Sequence, residues 1–275
     1  MRRMVVIAGV VCLAGALQLA AVEQTDTAQK TFTLGRSAGR KLTVDNIWGS
    51  VHVTAADGDR VEVQVKQHWR ADSQPDLERA RREVHLEMTQ DGDTVRVYVD
   101  GPFRDHHGNH NLGYQPLFDF DIRVPREIGL DLRTVLDGDI RVAGTSGEFI
   151  AANVNGDVIL NDISGSGRAT TVNGPVKVTF RENPRSECTF KTINGEIALA
   201  LQPGLDADLR LKTLNGEAWT DFDYQMQPVT ASASHEGARF VYRLGNGTNL
   251  RVGAGGPQLN LETLNGPIRI TKRGK

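Results

Sequence analysis

The chain has 275 residues, 39% of them hydrophobic, with a formal net charge of −2 at pH 7. That balance excludes the broad basic surface of a general nucleic-acid or anionic-lipid binder. Its two cysteines, Cys12 and Cys188, exclude a disulfide-stapled scaffold, because Cys12 falls in a segment expected to be removed.

Residues 1–21 read as a secretory signal peptide. Met1-Arg2-Arg3-Met4 is a basic start, Val5 to Leu17 is a short apolar run, and Gln18-Leu19-Ala20-Ala21 ends in small residues. The run is short for a membrane span, and the residues before Cys12 do not form a lipoprotein site. Cleavage after Ala21 would leave Cys188 as the only thiol and, without Arg2 and Arg3, a net charge of −4. An exported chain is expected, in the periplasm, in the cell envelope or secreted, with no transmembrane helix after processing.

Residues 22–41 are expected to be a flexible N-terminal segment. Residues 42–130 read as an antiparallel β unit with one short helix, capping the repeats C-terminal to it. Leu42-Thr43-Val44 and Val51-His52-Val53 flank Ile47-Trp48-Gly49 like an isolated repeat. Val61–Val65, Val84–Met88, Thr94–Val99 and Phe118–Val124 alternate as strands, and Pro75 opens a charged helix to Val84.

Residues 131–270 carry a repeat. Thr171-Val172-Asn173-Gly174, Thr192-Ile193-Asn194-Gly195, Thr213-Leu214-Asn215-Gly216 and Thr263-Leu264-Asn265-Gly266 are full copies. Asn155-Gly156 keeps the last two residues, and Asp137-Gly138 is degenerate. Gly138, Gly156, Gly174, Gly195 and Gly216 are spaced by 18, 18, 21 and 21 residues, a period that marks stacked repeats. Alternating strands such as Val176–Phe180, Glu196–Leu201 and Leu209–Lys212 flank the turns. Gly accepts positive φ and Asn tolerates it, so Asn-Gly signals a bend. A hairpin meander and a β-solenoid compete. The second bends at Gly144-Thr145-Ser146-Gly147 and Ser164-Gly165-Ser166-Gly167 favour the solenoid, with 18–21-residue coils. The expected fold is all-β, a β-solenoid behind an N-terminal antiparallel β unit. Asn155, Asn173, Asn194 and Asn215, with Asn265, are then expected in one column about 4.8 Å apart per coil. These turn residues are structural. Gly216 and Gly266 stand 50 residues apart, and Arg239–Leu244 with Thr248–Val252 suggest a hairpin or a long coil between them. Residues 271–275 form a short basic tail.

Candidate chemistry is thin. His106, His107 and His110 resemble a metal cluster, but they lie in a Gly- and Asn-rich stretch that reads as a solvated loop. Asp139, Asp157, Glu196 and Glu217 follow the repeat glycines. Stacked, they suggest calcium or a polysaccharide-cleaving acid/base pair, yet acids are ordinary at turns. Cys188 aligns with Leu209 as an inward residue. No catalytic residue, metal site or cofactor is expected.

The repeats, with Leu130–Val135 entering them and Val124-Pro125 ahead, resemble a bacterial putative-adhesin, domain-of-unknown-function family of exported proteins with Thr-Val-Asn-Gly repeats. The resemblance covers most of residues 42–270. It implies a β-solenoid at the envelope or surface and supplies no catalytic residues. The expected function is a non-enzymatic, adhesin-like binding or structural protein with a glycan or protein partner. A carbohydrate-active enzyme and an envelope-stress accessory protein are the alternatives.

Overall fold

The computed structural model describes residues 21–35, 39–104, 112–228, 232–236, 239–243 and 247–274. Residues 1–20, which were expected to be most of a signal peptide, and the histidines 106, 107 and 110 lie outside the described residues. The first part of the chain forms β1 (Val22–Thr33), β2 (Lys41–Asp45), β3 (Val51–Ala56), β4 (Arg60–Ala71), α1 (Gln74–Glu83), β5 (His85–Asp91), β6 (Thr94–Asp100) and β7 (Tyr114–Pro125). Short strands then come in pairs: β8 (Gly129–Arg133) with β9 (Ile140–Ala143), β10 (Phe149–Ala152) with β11 (Val158–Ile163), and β12 (Gly167–Thr170) with β13 (Val176–Phe180). The next pairs are β14 (Cys188–Lys191) with β15 (Ile197–Leu201) and β16 (Ala207–Asn215) with β17 (Ala218–Thr220). After β18 (Tyr224–Gln227), β19 (Ser232–Glu236), β20 (Arg239–Arg243) and β21 (Thr248–Val252), the chain ends in the pair β22 (Gln258–Asn265) and β23 (Ile268–Lys272).

Among the described residues the fold is all-β with one α-helix and two large mixed sheets. The first sheet runs β1-β4-β7-β3-β9-β11-β13-β15-β23-β17, and the second β18-β21-β16-β22-β14-β12-β10-β8-β2-β6-β5. Neither closes on itself. Each Asn-Gly bend carries the chain from the second sheet to the first, and successive layers pair in parallel. Alternation explains the core. Val158 and Leu160, Val176 and Val178, and Ile197 and Leu199 are buried in register on one sheet. Ala151, Ala169, Phe190 and Leu261 face them from the other. Phe180 meets Phe190 edge to face, centroids 6.3 Å apart. Burying each large apolar side chain contributes roughly 1.5–3 kcal/mol. Cys188 is fully buried opposite Leu259, and burial pushes its thiol pKa up.

Three expectations are corrected. Residues 22–33 are not a flexible segment. They form a 12-residue strand paired antiparallel along all of β4. Its side chains are largely polar, so it is held by the backbone ladder and by Asp26, which accepts from Trp69 Nε1 and pairs with Arg81. The 42–130 unit is not simply antiparallel. Its antiparallel pairs are β4 with β7 and β5 with β6, but β2 and β3 pair in parallel with β8 and β9, so the repeat-like copy around Trp48 joins the stack. Helix α1 starts at Gln74, where Ser73 caps the Asp76 amide.

The third correction concerns order. Strand β22 lies between β14 and β16, and β23 lies between β15 and β17. The last repeat in the chain is therefore the second last in the stack. The hairpin also differs from expectation: β20 pairs with β19, whereas β21 runs antiparallel to β16 and β18.

Two outcomes are expected. A chain stopped after Val252 loses the inserted layer and leaves four strand edges without partners, so its urea unfolding should lose the single cooperative transition of the full chain. Gly195→Ala should cost about 1–3 kcal/mol through overpacking, since a Cβ there would sit 2.0 Å from the Gly174 carbonyl oxygen. Glu196→Ala removes only a surface ion pair to Arg269 at 2.9 Å, which changes stability by about 1 kcal/mol or less. Equal melting temperatures for Gly195→Ala and the unaltered protein would refute the tight stacking of this corner.

Candidate functional site

The predicted turn residues come together at one corner of the stack. Asn173 donates its side-chain amide to Asn155 (2.7 Å), Asn194 to Asn173 (2.8 Å), Asn265 to Asn194 (2.7 Å) and Asn215 to Asn265 (2.7 Å). The column expected from the repeat is present, with Asn265 between Asn194 and Asn215. Beside it runs a second ladder that sequence reading missed. Thr134 donates its hydroxyl to the Gly49 carbonyl, Thr171 to Gly156, Thr192 to Gly174, Thr263 to Gly195 and Thr213 to Gly266, at 2.8–3.1 Å. Asn153 gives its amide to Gly138 in the same way, at 2.9 Å. The signal was available in the recurring Thr two residues before Asn.

The glycines are needed for a different reason at different layers. Gly156, Gly174 and Gly266 have φ of 151°, 150° and 152°, whereas Gly138, Gly195 and Gly216 do not share that conformation. Common to all of them is close approach. A Cβ on Gly156, Gly174, Gly195, Gly216 or Gly266 would lie 2.0–2.4 Å from the carbonyl oxygen of the glycine in the adjacent layer, and one on Gly138 would meet Gly49.

The acidic residues after the glycines are separated or committed. Asp139 accepts from the Asp157 amide at 2.9 Å and from Arg141 at 2.7 Å. Burial, with Asp139 beside it, raises the Asp157 pKa. Glu196 is paired with Arg269. Pro175 separates the layers of Asp157 and Glu196, and Pro267 separates those of Glu196 and Glu217. Two strand spacings put the backbones of each of these pairs about 10 Å apart, well beyond the close approach of a retaining glycosidase's carboxylates. Among the described residues there is no group of three or more His, Cys, Asp or Glu placed to hold a metal.

A concave face near the N-terminal end, about 960 Å³, is lined by Thr27, His52, Lys66, His68 and Asp119. Within it, Asp119 accepts from the Ser50 amide at 2.8 Å and lies 3.7 Å from His68.

The opposite end is chemically different. The residue between Thr and Asn in each motif is apolar and points outward. In stack order these residues are Val172 and then Ile193, Leu264 and Leu214, the last three 43%, 42% and 72% exposed. Apolar side chains at a turn position are a signal the sequence held. They line a groove of about 840 Å³ together with Lys191 and Lys212. Those lysines also border a polar groove of about 440 Å³ on the outer face of the second sheet. There, Arg168, Thr189, Asn260 and Arg210 form one cross-strand row and Thr170, Lys191, Glu262 and Lys212 the next. Glu262 accepts from Lys212 (2.6 Å) and Lys191 (2.9 Å), and these two bonds pull its pKa down to about 2. Among the described residues, Arg168 and Arg210 have no ion-pair partner. Trp219 stands on the other flank with Arg269 over its ring at 5.1 Å.

No protein-family model and no curated protein sequence matches the chain. Among solved structures it is similar to a putative cell adhesion protein from Clostridium sporogenes, at 9% identity over 90% of this chain and 100% of that one, with a TM-score of 0.43. It is also similar to a putative adhesin from Bacteroides fragilis, at 10% identity over 90% of this chain and 97% of that one, with a TM-score of 0.42. Among the described residues no helix is long and apolar enough to cross a membrane.

The lowered pKa of Glu262 makes a signed prediction. The unfolded glutamate titrates near 4.5 and the folded one near 2. Its stabilisation is therefore complete above pH 4.5 and is lost as pH falls toward 2. The carboxylate is about a third exposed, so solvent screening holds the effect to about 1 kcal/mol. Urea unfolding of Glu262→Gln should show a deficit of that size at pH 7 that narrows through this window. A deficit independent of pH would mean that the two lysines do not hold the carboxylate.

Proposed function

We propose that the chain is an exported, non-enzymatic β-solenoid of the putative-adhesin type that binds a cell-envelope or extracellular partner along its stacked face. The parallel register of consecutive Asn-Gly layers supports the solenoid reading, with residues 1–21 as the removed signal, the N-terminal strands and α1 as its cap, and residues 131–270 as its repeats. The observation that carries the binding reading is the pair of adjoining grooves on the 168–264 layers. Their side chains repeat at strand spacing across several layers, so contacts with an extended partner are cumulative. The separation of Asp157, Glu196 and Glu217 disfavours a retaining carboxylate pair, and Glu196 is committed to Arg269.

One observation favours a second reading: Asp157 and Asp139 are neighbours, and the Asp157 carboxyl is raised, as a general acid needs to be. A glycan array and a reducing-sugar release assay on the same purified protein separate the two. Binding without sugar release is the expected result. Release that disappears in Asp157→Asn or Glu196→Gln would establish the enzyme instead.

A further inference from the structure

We propose that the Thr-x-Asn-Gly corner of the C-terminal layers docks onto the surface of an anionic lipid membrane; this rests on the proposed envelope-binding function and names its partner. The large hydrophobics exposed on the molecule are unevenly placed. Ile193, Leu214, Trp219, Tyr224, Met226 and Leu264 all belong to the C-terminal layers and the strands beside them, and among the described residues Ile150 alone lies elsewhere. Solvated turns do not normally present such residues in a row, and a contiguous apolar patch marks an interaction site.

The repeat does not require this chemistry. The Thr and Asn on either side make the interlayer hydrogen bonds, and the intervening side chain takes no part in them. Ile193, Leu264 and Leu214 therefore form a ridge about two strand spacings long, roughly 10 Å, which is short enough to enter the headgroup region and too short to cross a bilayer.

Charge is arranged beside the ridge. Arg168, Lys191, Arg210 and Lys212 stand on the adjoining sheet face, opposed by Glu262 and by Glu187, which accepts from Asn260 at 2.8 Å. This local excess of cations exists in a chain of net charge −2. Glu217, on the far side of the corner, adds one further opposing charge. A linear polyanion would use the cationic rows and leave the ridge in water. An amphiphile uses both, because the two grooves share Lys191 and Lys212. An apolar edge flanked by Lys and Arg, with Trp219 near it, is the pattern by which a protein lies on an interface. Since the whole chain is acidic, long-range attraction is weak and the apolar ridge must supply much of the hold.

The test uses the protein from Ala21 onward, which retains every described element and lacks the apolar leader. It is sedimented with vesicles of phosphatidylglycerol mixed with phosphatidylcholine, and with phosphatidylcholine alone. Binding is expected to the anionic vesicles and to be weakened by salt. It should fall about tenfold in Ile193→Ser/Leu264→Ser/Leu214→Ser and by a similar factor in Lys191→Gln/Lys212→Gln. Thermal melting checks that the variants fold. Leu214→Ser alone, at the most exposed position, replaces the triple variant if that one does not, with a smaller loss expected. No sedimentation with either vesicle overturns the proposal, and so does full binding by the serine variant. Alginate or dextran sulfate binding without vesicle binding would also overturn it while leaving the envelope-binding function standing. Release of reducing sugar by the same protein would remove that function instead.

Discussion

The structure depends on how closely its layers approach at the Asn-Gly corner. Each glycine there lies over the glycine carbonyl of the neighbouring layer with no room for a methyl group. That proximity lets a Thr hydroxyl or Asn amide reach the same carbonyl, and it brings the Asn side chains within hydrogen-bonding distance of one another. A hydrogen bond of this kind contributes a net 0.5–1.5 kcal/mol or so. Its larger effect is on register. Strand side chains alternate with period two, so a one-residue slip would turn each core residue outward. The corner holds each layer against that slip, and the buried Val, Ile, Leu and Phe can then align across layers.

The corner also explains why the C-terminal repeat can be inserted out of order. Nearest-neighbour contacts are nearly identical at the layers of Asn155, Asn173, Asn194, Asn265 and Asn215, since each offers a Gly carbonyl, an Asn side chain and a parallel strand edge. Residues 258–272 therefore fit between the layers of Asn194 and Asn215 as well as they would beyond them. The antiparallel strand β21 occupies the far side of β16, which leaves the near side for β22. This arrangement raises the sequence separation of the contacts, because Asn265 meets Asn194 across 71 residues. Such pairings form late and slowly compared with local ones.

The legibility of the sequence obeyed the same physics. The Asn column was readable because it repeats, and inward residues such as Cys188 were readable by alignment with Leu209. The stacking order was not, because interchangeable layers carry no local label of their neighbours. Strand β1 was missed because residues 22–33 have little apolar alternation: its backbone ladder and the Asp26 contacts form only once β4 and α1 are in place. The copy around Trp48 was readable as an isolated repeat from its flanking alternation, but the role of Asn46 was not: its buried amide donates to the carbonyls of Trp48, Gly49 and Phe118 and so holds the first corner. At the candidate site, the Asn and Gly of each motif were read as bend formers and the Thr was given no role, and the interlayer contacts of Thr and Gly depend on distances that no single turn reveals.

A repeat under this constraint divides its residues into those that stacking dictates and those it leaves free. Thr, Asn and Gly are dictated by contacts with the next layer, and the alternating apolar residues by the core. The residue between Thr and Asn is dictated by neither. It is half-buried as Val154 and Val172, and it becomes more exposed as Ile193, Leu264 and Leu214 toward the C-terminal end. Solvation alone would favour polar side chains there, as in most turns. Larger aliphatic groups at increasing exposure, next to lysines that share a single glutamate, run against that preference over several layers. Such a departure is expected where a surface is shaped by a partner in addition to the fold. Under the proposed binding function, the functional information of this chain is concentrated at positions its architecture leaves unspecified, and it is strongest where the stack ends.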